Sequence, residues 1–296
     1  SSDSKDINNI IIPTSIQNII LSRLTALGFE EQVVCKTASV IGRTFSTDIL
    51  SLLLSEEIKP ERIVQMLENV EKHKLIICEK IRIAYSFKNI VIHDVIYNTI
   101  LENTKRELNK MILLYLEDKY KTNISIISER LLYHAKEAKD TQKIFTYAIL
   151  SAQKAEKTFA TKDAAIFYNT ALDEMQNFPT SSQNQILKFQ LQLALAEVYR
   201  TSGEYQLTYD LLTSVLKNST LKQIRAEAYK GLGRYYQEQG KFDKAVEMLE
   251  NALHILGHKV PKKLITTYIS IAKNALRQFF IYGIAKGKIL QYKNKR

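Results

Sequence analysis

Apolar residues recur every three or four positions along most of this chain, a period that predicts helix after helix. Pro13, Thr14 and Ser15 supply a helix start, after which Ile16, Ile19, Ile20, Leu24 and Leu27 form one face and Gly28 ends it. Further helices are expected over about 31–41 and 46–54, and a fourth starts at Pro60 and carries Ile63, Met66, Leu67 and Val70 inward. The period then falls to near two. Leu75 to Cys78, and Ile81, Ile83 and Tyr85, either side of a Glu79–Lys80 turn, predict a short hairpin, the one place where strands are expected. Beyond Phe87 the helical period returns over about 90–103, 105–120, 125–138 and 141–158.

The second half repeats itself. L-A-E-V-Y-R-T-S-G-E-Y at Leu195–Tyr205 and L-G-R-Y-Y-Q-E-Q-G-K-F at Leu232–Phe242 lie thirty-seven residues apart. Each places a small residue after Leu, a Tyr three positions on, and a Gly shortly before an aromatic, which suits two antiparallel helices that stack closely. Taking Ala152, Ala196 and Gly233 as the small residue of successive first helices puts Ala164, Thr208 and Ala245 at the start of each second helix. Ala171, Val215 and Ala252 then stand near its end. Helices approach closely only where side chains are small, so these are the expected contact points. The intervals are forty-four and thirty-seven, against thirty-four in the tetratricopeptide consensus, and the excess falls in turns around 177–183 and 217–221. The first repeat is the weakest, with Ala155 where the others have Tyr199 and Tyr236.

Composition supports a nearly all-α chain. With 296 residues, 45% hydrophobic, and only nine Gly, four Pro and no Trp, it can bury a continuous core and has few breaks. Cys35 and Cys78 are the only thiols, each in an apolar run, so a disulfide framework is excluded, and two buried thiols in a reducing compartment, a cytoplasmic setting, are expected. Leu264 to Ala285 is interrupted by Lys273 and Arg277, short of the roughly 18 apolar residues of a membrane span. The chain starts at Ser1 without Met or an export signal, and so reads as a segment of something longer. The net charge of +11 sits at one end: 251–296 holds ten Lys and Arg and no acidic residue, while the rest is close to neutral.

Several blocks carry a family resemblance. They are I-P-T-S-I-Q-N-I-I-L-S-R-L-T-A-L at Ile12–Leu27, A-S-V-I-G-R-T-F at Ala38–Phe45, S-F-K-N-I-V-I-H-D-V-I-Y at Ser86–Tyr97 and L-G-H-K-V-P at Leu256–Pro261. In this order they resemble the helical region after the nucleotide-binding domain of STAND-class signal-transduction ATPases. The type meant has tetratricopeptide repeats linked to class III adenylyl cyclases, the soluble type included, or to protein kinases; maltose-type transcription regulators are more distantly similar. Arg106, Leu131, His134 and Ala138 continue the pattern, whereas Asn89 and Asn109 stand where the family commonly has His, and Val91 where it has Leu. The resemblance implies a winged-helix module, in line with three helices before a hairpin, followed by a repeat arm that receives signals and restrains a neighbouring ATPase. The ATPase itself is missing: no G-x-x-x-x-G-K-[ST] occurs, and G-I-A-K-G-K at Gly283–Lys288 lacks its spacing and hydroxyl.

No constellation in the chain points to catalysis. His254 and His258 are four apart, but Gly257 lies between them and Pro261 follows, so the helix is expected to end before they converge on a metal. His93, Asp94 and Tyr97 lack a nucleophile elbow or oxyanion loop and read as a packed polar cluster. Along 61–73, Glu61, Glu68 and Glu71 offset Arg62 and Lys72, and Lys80, Arg82 and Lys88 are too few to reverse this, so nucleic acid is disfavoured as a partner.

First helices of stacked repeats line a concave groove. Here Gln190, Leu193, Glu197 and Arg200, then Glu227, Lys230, Arg234 and Gln237, are expected to face it. Arg200, Lys230 and Arg234, with Gln237 beside them, can hold the carboxylate of a docked peptide, or can form a solvated mixed-charge face.

The expected fold is all-α: a winged-helix-like module with one short β-hairpin over 1–87, connecting helices over 88–140, a tetratricopeptide-like α-solenoid over 141–258, and a basic helical tail over 259–296. The tail reads as the start of a further repeat, or as an amphipathic helix for an anionic membrane surface. The expected function is a non-catalytic protein-interaction and regulatory arm, binding protein segments or an intramolecular ATPase or cyclase domain, with no cofactor. A DNA-binding transcription regulator is the alternative.

Overall fold

The computed structural model describes residues 13–80 and 83–258, and the chain divides into one unit running to Pro179 and another from Thr180. The expectations for the tail over 259–296, for Ile81 and Arg82, and for the side chain of Lys80 fall outside the described residues. Among the described residues the chain is all-α apart from one small sheet.

In the first unit α1 (Thr14–Thr25) follows Pro13, and α2 (Phe29–Ile41) starts at Gly28, whose N–H donates to the Glu31 carboxylate at 2.8 Å. α1 buries Ile20 and Leu24, and Leu27 is buried beyond its end; Ile16 and Ile19, predicted on the same face, stay exposed. α3 (Thr47–Leu53) and α4 (Pro60–Lys72) complete the helical side. Pro60 sits at the first helical position, where its missing N–H is no loss, and Ile63, Met66, Leu67 and Val70 point inward as their spacing predicts.

The expected hairpin is present as β2 (Ile76–Lys80) and β3 (Ala84–Phe87), and Glu79 and Lys80, predicted as its turn, belong to β2. A third strand was not expected. β1 (Thr44–Ser46) pairs antiparallel with β3, Phe45 opposite Tyr85, to give the order β1-β3-β2. Three residues are too few to show alternation, so only the partner strand makes β1 visible. Phe45 and Phe87 pack together in the core with ring centroids 5.7 Å apart and the rings tilted by 51°. Cys35 is buried, and burial pushes its thiol up to about 12, whereas Cys78 on β2 is only half-buried rather than buried as expected.

The helix predicted over about 90–103 stops sooner: α5 is Ile90–Tyr97, and α6 (Glu102–Lys119) begins after a turn in which the Thr99 hydroxyl donates to the Ile96 carbonyl at 2.6 Å. Asn89 caps α5, its side chain accepting the Ile92 N–H at 2.9 Å. A 3-10 turn at Ile124–Ile127 precedes α7 (Ser128–Ala138), which therefore starts three residues later than the predicted 125. Then α8 (Thr141–Lys157), capped by Asp140, and α9 (Thr161–Glu174) form a hairpin in which Ala152, Ala164 and Ala171 are fully buried.

Among the described residues the second unit has two hairpins, α10 (Ser182–Thr201) with α11 (Tyr205–Asn218) and α12 (Lys222–Glu238) with α13 (Phe242–Ile255). Both turn through a left-handed glycine, Gly203 at φ 82° and Gly240 at φ 71°, a region open to Gly without steric penalty. Ala196, Thr208, Val215, Ala245 and Ala252 are all buried, so the small residues do lie between helices. A core of Ala196, Leu212, Val215, Ile224, Ala228 and Leu232 joins the hairpins, each large side chain removed from water stabilising by roughly 1.5–3 kcal/mol. Arg225 completes the join, donating to the Leu216 carbonyl and, at 3.2 Å, to that of Ser219.

Candidate functional site

Between α10 and α12 lies a concavity of about 650 Å³. Its floor is apolar, with Ala196, Leu212, Ile224 and Ala226 buried beneath Leu193 and Ala194. The floor is wide because the first helices carry small residues there, Ala194 and Ala196 on α10 and Ala226 and Gly231 on α12. Of the eight side chains that the repeat register directs at a groove, seven line this one: Gln190, Leu193, Glu197 and Arg200 from α10, and Glu227, Lys230 and Arg234 from α12. Gln237 is exposed and is not among the lining residues.

The cations lie on carboxylates rather than alone. Arg200 donates to Glu197 through Nε at 3.0 Å and Nη2 at 2.7 Å, and through Nη1 to Glu238. Arg234 Nη1 reaches the same Glu197 at 3.1 Å, so one carboxylate ties α10 to α12. Lys230 Nζ is 3.1 Å from Glu227 on its own helix. Hydrogen bonding from Arg200, then the charges of Arg200 and Arg234, hold the Glu197 carboxyl below its ordinary value against the opposing effect of burial.

These contacts separate the roles. The Arg200 side chain is only 15% exposed and committed to two carboxylates, so it works as a strut between the hairpins. Lys230 and Arg234 are each paired with one carboxylate, and their side chains are 46% and 47% exposed. Glu238 and Gly231 were missed in the sequence, since a partner on another hairpin leaves no local signal.

The histidines are structural in their contacts. His93 is buried and bridges α5 to α2, with Nδ1 2.8 Å from Asp94 Oδ1 and Nε2 2.9 Å from the Ser39 carbonyl. His134 is buried with Nδ1 2.7 Å from Asn109 Oδ1. His258 lies beyond left-handed Gly257 and past the end of α13, which carries His254. On α4, Arg62 is paired with Glu30 and Glu71 accepts the Cys78 N–H at 2.8 Å, leaving a mixed-charge outer face.

No protein-family model matches the chain, and no curated protein does. Among solved structures it is similar to a signal transduction ATPase with numerous domains (STAND) with a tetratricopeptide repeat sensor, from Pyrococcus horikoshii. The identity is 14% and the TM-score 0.49, over 87% of this chain and 35% of that one. The chain thus spans about a third of the length of that protein. No helix among the described residues is long and apolar enough to cross a membrane.

Proposed function

We propose that this chain is a non-catalytic regulatory arm that recognises protein segments, with the α10–α12 concavity as its recognition surface. The observation that carries the reading is the combination of an apolar floor built from small residues with Lys230 and Arg234 half-exposed at the rim. Such a surface accepts an apolar side chain while charged hydrogen bonds fix a neighbouring carboxylate. On this reading 1–87 is a winged-helix-like module that packs on protein rather than on DNA, 88–140 connects it, and 141–258 is the repeat arm. On the strength of the sequence resemblance, the partner proposed for the arm is a signalling ATPase, cyclase or kinase domain of the same larger protein.

Peptide display against the whole chain tests the groove directly. Selected peptides are expected to bind at least about tenfold more weakly to Ala194→Trp, which fills the floor, and to Arg234→Glu, which reverses the rim. Calorimetry showing equal affinity for both variants and the unmodified chain would remove the groove from the proposal.

A further inference from the structure

Three charged side chains of the groove stand in line along α12. Glu227, Lys230 and Arg234 recur at spacings of three and four, which is one helix face, and Glu227 and Arg234 lie seven residues apart, about 10 Å at 1.5 Å per residue. Between them the floor is apolar. Leu193 precedes Lys230 by thirty-seven residues, the interval that also separates Glu197 from its partner Arg234, so it sits level with Lys230 on the facing helix, with Ala194 and Gly231 beside the pair.

The two ends of this line differ in what they have left to offer. Glu197 accepts three hydrogen bonds, two from Arg200 and one from Arg234, so its charge is held within the strut. Arg234 spends only Nη1 there, and its Nε and Nη2 make no hydrogen bond among the described residues. Glu227 accepts from Lys230 alone, at 3.1 and 3.5 Å on its own helix, with its side chain 60% exposed. A pair this exposed is weak and exchanges readily. Donors are thus in surplus at Arg234 and acceptors at Glu227.

We infer that the segment this groove takes is an amphipathic helix with an acid for Arg234 and, seven residues away, a base for Glu227, and with apolar side chains between them on the same face. The inference rests on the groove reading above and adds to it the base, the spacing and the helical form. A docked helix rises as α12 does, and residues seven apart return to one face after two turns, so both charges meet α12 while the residues three and four along enter the floor. An extended chain crosses about 10 Å in three residues, whose ends fall on opposite faces, and offers α12 only one of the two charges. The base arriving at Glu227 displaces the Lys230 ammonium, which then joins Arg234 on the incoming acid.

Calorimetry on the full chain tests this with an alanine-based peptide that has Glu at its first position, Leu at its fourth and fifth, and Lys at its eighth, the order its own helix dipole favours. Replacing the peptide Glu by Gln is expected to weaken binding to the unmodified chain at least about threefold and to leave binding to Arg234→Gln unchanged. Replacing the peptide Lys by Gln is expected to act in the same way, with Glu227→Gln as the indifferent variant. A peptide with both charges replaced should bind all three chains alike, which guards against a variant that misfolds. Equal affinity for the charged and uncharged peptides, or for a peptide with its Glu and Lys four residues apart, would overturn the inference and leave the apolar groove in place. Failure of the chain to bind any peptide, those from display included, would remove the groove reading itself and this inference with it.

Discussion

Gly231 on α12 stands directly over Leu212 on α11: a β-carbon on the glycine would lie 2.9 Å from Leu212 Cδ2 and 3.0 Å from Cδ1. Leu212 belongs to the core cluster that joins the two hairpins, so its Cδ atoms must leave that packing to admit a larger side chain. Gly231→Val is therefore expected to destabilise the second unit by roughly 1–3 kcal/mol through overpacking. Combined with Leu212→Ala, the two losses should fall short of their sum by about 1 kcal/mol or more, because each variant relieves the other. Urea unfolding of the four proteins gives the coupling, and strict additivity would show that the two residues do not meet.

Phe159 turns the α8–α9 hairpin at φ 58° with 88% of its surface exposed, seven residues after Ala152. Gly203 and Gly240 stand seven residues after Ala196 and Gly233 and do the same work at φ 82° and 71°. A side chain in this region is strained by about 1–2 kcal/mol, part of which the larger unfolded-state entropy of glycine offsets. Phe159→Gly should thus raise stability by roughly 0.5–1 kcal/mol, read as a higher urea midpoint with an unchanged m-value. A lower midpoint would mean that the ring contributes contacts its exposure does not suggest.

What could be read without coordinates follows from how locally each feature is encoded. Ala152, Ala164, Ala171, Ala196, Val215 and Ala252 were placed at helix contacts by register alone, and all are buried. Seven groove residues followed from the same register, because a helix fixes direction once its phase is known. Gln237 lies one residue before α12 ends and outside the groove lining, and Glu238 rather than Gln237 meets Arg200. β1 was hidden by its length, and Ile16 and Ile19 because a helix seldom buries its whole apolar face. The pairing of Arg200 with Glu238 depends on how one hairpin sits on the next, which no local pattern encodes.

Glu197 receives hydrogen bonds from Arg200 on its own helix and from Arg234 on the next, which makes it the central strut of the groove. Its side chain is 39% exposed, so solvent screens the pair, and Glu197→Ala is expected to lower stability by only about 1 kcal/mol or less, shrinking further as salt rises. The carboxyl lies below its ordinary value when folded, so this contribution is full above the unfolded value of 4.5 and fades as pH falls through the folded one. Groove affinity should respond more strongly than stability, since the substitution removes a carboxylate that competes with a docked group for Arg234. Melts in low and high salt, paired with peptide titrations, separate the two effects; a salt-independent loss of several kcal/mol would contradict the screened pair.

His134 is a packing residue held neutral. Burial first, and then the charge of Arg130, pushes its imidazole down to about 3. The Asn109 amide nitrogen donates to the Lys105 carbonyl at 2.8 Å, which turns Oδ1 toward His134 and requires the proton on Nδ1. The unfolded chain takes up a proton near pH 6.5 that the folded chain refuses until about 3, so the unfolded state binds more protons throughout that window and stability declines as pH drops across it. Between pH 6.5 and 4.5 the loss attributable to this group is about 2–3 kcal/mol, at roughly 1.4 kcal/mol per pH unit. Carboxylates titrate in the same range, so the measurement is a difference: His134→Gln keeps a donor for Asn109 but cannot titrate, and should lose that much less than the unmodified chain. Urea midpoints at the two pH values supply the comparison. Parallel losses in the two proteins would mean that His134 accepts its proton in the fold despite its burial and the charge of Arg130.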